Sequence, residues 1–342
     1  MTVIDSDAHV IETERTWEYL EESEREFRPQ LLIPKNGGPR PTEYWMVEGR
    51  VIARNINIMA EAPEASRDMA DVAHRLAHMD ELGVDMQVLY PTFFLTPLTR
   101  RPEVDVALCR AYNRWMADLW KGSKGRLPWV LMPPLLNMEK ALEELHFGKA
   151  HGAVAVYFHG MEWDHRLSDS YFFPLYQEAS RLNLTIAVHS ANNNFAVYDL
   201  YHRDSGLSTF KLPVVGAFHD LIMNGVPAKF PDLRWAFVEV SAQWVPYILR
   251  DMGIRLRKQG VHFVHADILR ENRIWVACQT DDDLDYVLRY AGEDNLLLGT
   301  DYGHNDTASE MLALRKLKED GNVPARIVDK ILGDNAKAAY SL

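Results

Sequence analysis

The sequence predicts a parallel (β/α)8 TIM barrel, and three observations predict it. Short apolar runs alternate with amphipathic helical stretches along the whole chain, which is the pattern of a parallel sheet covered by helices. The runs number eight and are apolar almost throughout, as strands buried on both faces are. No GxGxxG follows any of them, so the open dinucleotide-binding sheet is the weaker alternative.

The runs are VIDSDA (3–8), MQVLYP (86–91), LPWVLMPP (127–134), GAVAVYF (152–158), TIAVH (185–189), RWAFVEV (234–240), RIWVACQ (273–279) and NLLLGTD (295–301). Between them, SRDMADVAHRLAHMDELGV is amphipathic and stops at Gly83. PEVDVALCRAYNRWMADLWKG, MEKALEELHFGKAHG and DSYFFPLYQEASRLN follow as further helices. In the last, the spacing of Phe173 and Tyr176 fits a face packed on the barrel rather than a catalytic role. Residues 21–62 are irregular, with Pro, Gly and a possible hairpin, and read as an insertion after the first strand. Residues 190–228 form a second long connection. Long loops at the C-terminal face of a barrel shape its substrate pocket. All 342 residues are read as one barrel domain with these insertions.

Composition narrows the function classes. Apolar residues make up 47 % and charged residues 25 %, ordinary for a globular chain. The net charge of -12 argues against nucleic acid or an anionic membrane as partner. Cys109 and Cys278 lie far apart, outside any CxxC pattern, so no disulfide framework is expected. The N-terminus lacks the basic start and apolar stretch of a signal peptide, and no apolar run spans a bilayer. The expectation is a cytoplasmic homo-oligomer acting on a small molecule.

In a parallel barrel the chemistry sits where strands end at their C-termini. Asp7 and His9 end the first strand, and residues i and i+2 of a strand point to one side. His159 follows the fourth strand and His189 ends the fifth. Glu239 closes the sixth, and Asp301 ends the eighth with His304 and Asp306 just beyond. Singly, each has a bland reading as a hydrogen-bonded pocket residue or a cap. Jointly, imidazoles and carboxylates at one end of several strands point to a metal site. Glu12 could orient the first-strand ligands or cap the following helix. His159 and Cys278 are candidate pocket residues, and Trp163, Phe195 and Trp244 are candidate walls or plain core.

IDSDAHVIE, MDELGVDMQVLYP, the AYNRW helix, LSDSYFFPLYQEASRLNLTIAVHS, FPDLRWAFVEVSAQWVPYIL and LLLGTDYGHND together resemble the amidohydrolase-related group of the amidohydrolase superfamily. That group includes decarboxylases of aromatic and amino-muconate acids. The resemblance covers nearly the whole chain and implies a divalent metal held by the strand-one pair, the strand-five His and the strand-eight Asp. It also marks departures. Asp7 stands where many members have His or Glu. Glu239 stands where many have an acid/base His, and His304 where many have an aromatic residue.

Asp7, His9, His189, Glu239, Asp301 and His304 exceed the three or so protein ligands of one zinc site. The count suits two metals, and mixed imidazole and carboxylate donors suit iron or manganese. The chain thereby resembles a dinuclear oxygenase subset of the group. On that reading the protein is a monooxygenase with a diiron or manganese–iron centre, using dioxygen and an external reductant. Asp301, Glu239 and His304 would then be the catalytic residues. The alternative is a hydrolase or decarboxylase of an organic acid with one metal, zinc among the choices, and Asp301 as base. A non-catalytic subunit with a single structural metal is the third reading.

Overall fold

The computed structural model describes residues 2–35, 42–54, 57–201 and 206–342. Its centre is an eight-stranded parallel sheet curled into a nearly closed barrel. The strands are β1 (Ile4–His9), β5 (Met86–Tyr90), β6 (Trp129–Leu131), β7 (Ala153–His159), β8 (Thr185–His189), β9 (Arg234–Val238), β10 (Ile274–Cys278) and β11 (Leu296–Leu298). Each is hydrogen-bonded to the next in that order, and each coincides with one of the eight apolar runs. Their residues are almost all buried because the barrel packs its interior and helices cover its outside.

The seam between β11 and β1 is closed by single contacts rather than a ladder. His9 N donates to Tyr302 O at 2.8 Å and Asp301 N donates to Asp7 O at 3.0 Å. Gly299 makes this approach possible, since a Cβ there would lie 2.2 Å from the Asp7 Cβ. Behind the seam, the buried Arg75 donates to Gln87 Oε1 at 2.6 Å and to His9 O at 3.1 Å. Its guanidinium lies 3.7 Å from the Tyr302 ring centroid. Gln87 Nε2 passes the chain of bonds to Asp5, which also accepts from Thr300 N and Oγ1.

The helices begin and end where the sequence supplies caps. Asp71 accepts from Ala73 N ahead of the helix Val72–Leu82, and Gly83 closes it in the left-handed region. Tyr176, on the helix Phe173–Arg181, is fully buried against Phe158 and Trp235 and donates to Leu167 O. Phe173 packs on Phe230. Tyr176 lies on the face of this outer helix that packs on the barrel, as the spacing implies, and Phe173 packs beside it.

The segment after β1 contains a three-stranded antiparallel sheet, β2 (Gln30–Leu32), β3 (Tyr44–Val47) and β4 (Arg50–Ala53). Residues 36–41 and 55–56 of this segment, and 202–205 of the 190–228 connection, lie outside the described residues. Trp45 of β3 packs edge-on against Trp17 and Phe93, which anchors the sheet over the C-terminal ends of the barrel strands. No described helix is long and apolar enough to cross a membrane.

Candidate metal centre

Strand ends bring together the residues that the sequence singles out. Asp7, His9, His189 and Glu239 offer donor atoms that all lie within 4.8 Å of one another, and so do His9, Glu239, Asp301 and His304. All six residues are buried. Glu239 (φ 62°) and Asp301 (φ 51°) occupy the left-handed region. For side chains with a Cβ this is strained backbone, of the kind that concentrates at functional sites. The strain turns each chain sharply at the end of its strand, where the carboxylate meets the other donors.

The donor set passes a test of fit to a metal ion. Asp7 Oδ1, His9 Nε2, His189 Nε2 and Glu239 Oε2 are buried and make no hydrogen bond, a costly condition unless a cation satisfies them. His9 Nε2 lies 3.4 Å from Asp7 Oδ1 and 3.5 Å from Glu239 Oε2. His189 Nε2 lies 3.5 Å from Asp7 Oδ1 and 3.0 Å from Glu239 Oε2. Donors about 2.1 Å from a shared ion stand about 3.0 Å apart at right angles and about 3.4 Å apart at tetrahedral angles. The observed separations span this range. Asp301 Oδ1 lies 3.4 Å from His9 Nε2.

The electrostatics agree. Burial disfavours charge on Glu239, but the His189 and His9 imidazoles override it and hold the carboxyl far below its ordinary range. Asp7 is lowered in the same way against its burial. Burial disfavours an imidazolium at His189, yet Glu239 and Asp7 push its pKa up to about 9. Asp301 moves well above the ordinary carboxylate range through burial and then repulsion by Glu239. His304 moves well below its ordinary value through burial and the neighbouring His9. Protons here take the place that a divalent cation would fill.

The surroundings divide the donors. His9 Nδ1 lies 2.9 Å from Pro91 O, so His9 has one nitrogen left for a metal. His304 has neither nitrogen free: Nδ1 lies 2.9 Å from Asp301 Oδ1 and Nε2 lies 2.9 Å from Thr92 Oγ1. Asp301 Oδ2 accepts from Ser309 Oγ at 2.5 Å. Glu12 is buried and does not cap the helix that follows it, Thr16–Tyr19. It accepts from the backbone N–H of Thr92 and Phe93, which holds the loop whose Thr92 reaches His304. Burial raises the Glu12 pKa to about 7.

Thr92, Gly299 and Arg75 were not among the candidates. Thr92 follows a barrel strand in YPTFF, so its place at a strand end was a signal. The other two act through contacts remote in sequence.

Glu12, Thr92, Glu239 and His304 line a cavity of about 860 Å³ at the barrel mouth. His159, Cys278, Trp163, Phe195 and Trp244 are not among its lining residues. His159 borders a separate cavity of about 20 Å³, because its ring is drawn to Glu162 Oε1 at 2.7 Å and Phe94 O at 2.6 Å. The Cys278 thiol is buried and donates to Leu297 O at 3.1 Å, and burial pushes its pKa up. Trp163 lines the small cavity, Trp244 packs on Phe218 and Phe237, and Phe195 lies between Arg50 and Arg100.

Comparison with known proteins places the fold. An amidohydrolase from Mycobacterium avium subsp. paratuberculosis aligns with a TM-score of 0.79 at 20% identity, over 98% of each chain. The 5-carboxyvanillate decarboxylase of Sphingomonas paucimobilis aligns at 0.71 and 17%, over 100% of this chain and 99% of that one. The 5-carboxyvanillate decarboxylase of Novosphingobium aromaticivorans, with bound manganese, aligns at 0.71 and 17%, over 100% of this chain and 97% of that one. The family model described as amidohydrolase matches residues 4–342. With that match, the barrel and the buried His/Asp/Glu cluster, the chain belongs to the amidohydrolase family of metal-dependent barrel enzymes.

Proposed function

We propose that the protein is a hydrolase or decarboxylase of an organic acid, with one divalent metal held by Asp7, His9, His189 and Glu239 and with Asp301 beside it. The observation that carries this is the convergence of four buried, unpartnered donor atoms at the spacing of one coordination sphere. The ion, manganese or zinc by donor chemistry, would supply Lewis-acid polarisation of a substrate oxygen or a hydroxide at neutral pH. Asp301 holds or moves the proton at Oδ1 or Oδ2, with His304 and Ser309 fixing the orientation of its carboxyl group. Thr92 and Glu12 hold His304 in turn. The decarboxylases among the structural relatives are consistent with this reading. The whole chain is read as one domain, supported by the packing of Trp45 on Trp17 and Phe93.

One observation favours a second reading, a dinuclear iron or manganese–iron monooxygenase using dioxygen and a reductant. His9, Glu239, Asp301 and His304 form an overlapping donor group, and Glu239 could bridge two ions. Against it, His9 offers a single nitrogen and both nitrogens of His304 are engaged. Elemental analysis after reconstitution with manganese, zinc or iron separates the two readings. One equivalent is expected, bound roughly 10–100-fold more weakly in Glu239→Gln and retained in His304→Ala. Two equivalents, one of them lost in His304→Ala, would replace the mononuclear reading with the dinuclear one.

A further inference from the structure

The cavity above the metal donors is large and unevenly lined. Its volume of about 860 Å³ lies toward the upper end of the roughly 300–1,000 Å³ of pockets that enclose ligands of more than one ring. One wall comes from the β2–β4 sheet, through Tyr44, Trp45, Val51 and Ile52, and Phe93 and Phe210 add aromatic surface. Such a lining suits an apolar body of more than one ring.

Among the described lining residues the cations are Arg54 and Lys211. Arg54 is already neutralised, since it pairs with Glu43 and lies 3.5 Å from Asp68. Lys211 is half-buried, and its ammonium donates to Thr307 Oγ1 at 2.8 Å. The neighbouring Asp306 accepts from Asn57 Nδ2 at 3.2 Å and Ala308 N at 2.7 Å, and feels the Lys211 charge without a direct ion pair to it. An ammonium has three donors, so Lys211 keeps capacity for an anionic partner inside the cavity.

We infer that Lys211 binds a carboxylate of the substrate other than the group that reacts at the metal, and that the substrate is an acid whose apolar body is larger than one aromatic ring. This rests on the proposed function for the chemistry at the metal, but its two elements, a charge and a volume, belong to the cavity alone. A charge-assisted hydrogen bond from Lys211 fixes one end of the ligand while the sheet and Phe210 cover its body.

The test is calorimetric titration of metal-free and manganese-loaded protein with 4-biphenylcarboxylate, 4-biphenylcarboxamide and benzoate. In metal-free protein the biphenyl acid is expected to bind about tenfold tighter than its amide and than benzoate. Lys211→Met is expected to abolish the preference for acid over amide while leaving amide affinity unchanged, which also shows that the variant is folded. Lys211→Arg is expected to keep the preference. A preference that survives in Lys211→Met, or that arises only with manganese, would overturn the role of Lys211. Benzoate binding as tightly as the biphenyl acid would overturn the size class. Manganese content is measured on the same samples. Failure to bind manganese would overturn the metal reading while leaving a Lys211-dependent preference in metal-free protein intact.

Discussion

Gly299→Ala tests how the centre is assembled. The added methyl carbon would sit 2.2 Å from the Asp7 Cβ, 2.8 Å from its N and 2.9 Å from its Cα. Carbon atoms in contact stay about 3.5–4.0 Å apart, so β11 and β1 must separate by roughly 1.3 Å or more. Backbone cannot rotate away as a flexible side chain would. The Asp301 N–Asp7 O bond, now 3.0 Å, would pass beyond hydrogen-bonding range. Overpacking with a lost bond costs roughly 2–4 kcal/mol, a fall of about 3–6 °C in thermal midpoint for a chain of this length. The larger effect is at the site. Metal–donor distances tolerate only about ±0.2 Å, so moving Asp301 relative to Asp7 should weaken manganese binding at least about tenfold. Scanning fluorimetry of the metal-free protein and a competitive chelator titration read the two effects separately. A variant with wild-type midpoint and wild-type metal affinity would refute the claim that this close contact sets the geometry of the centre.

Two further outcomes follow from the same structure. Arg75→Met should cost about 2–4 kcal/mol in urea unfolding, because Gln87 Oε1 and His9 O lose a buried donor; no loss would mean that the network is idle. Asp105 has its pKa pushed up to about 7 by burial. The folded state therefore binds its proton more tightly than the unfolded chain does. Stability from this group is whole below about pH 4 and is lost as pH rises towards 7. Since Asp105 is only half-buried, Asp105→Asn should gain about 1–3 kcal/mol at pH 8 and little at pH 4. Equal gains at both pH values would contradict this.

The eight strands and the positions of Asp7, His9, His189, Glu239 and Asp301 were legible in the sequence. The reason is periodicity: a strand buried on both faces must be apolar, so polar residues stand out at its ends. The resemblance of IDSDAH, TIAVHS and LLLGTD to a known family pointed to Asp7, His9, His189 and Asp301, and marked Glu239 as a departure. What the side chains do there was not legible. His159 and His189 read alike as strand-end imidazoles and are register partners on β7 and β8. Only the fold shows that His159 is held by Glu162 and Phe94 while His189 faces Asp7 and Glu239. The sequence also counted six donors without showing that His304 is engaged at both nitrogens. The division has a physical cause. Burial patterns are written into neighbouring residues, whereas hydrogen-bond partners 80 to 300 positions apart, such as Thr92 and His304 or Asp5 and Thr300, are chosen only when the barrel closes.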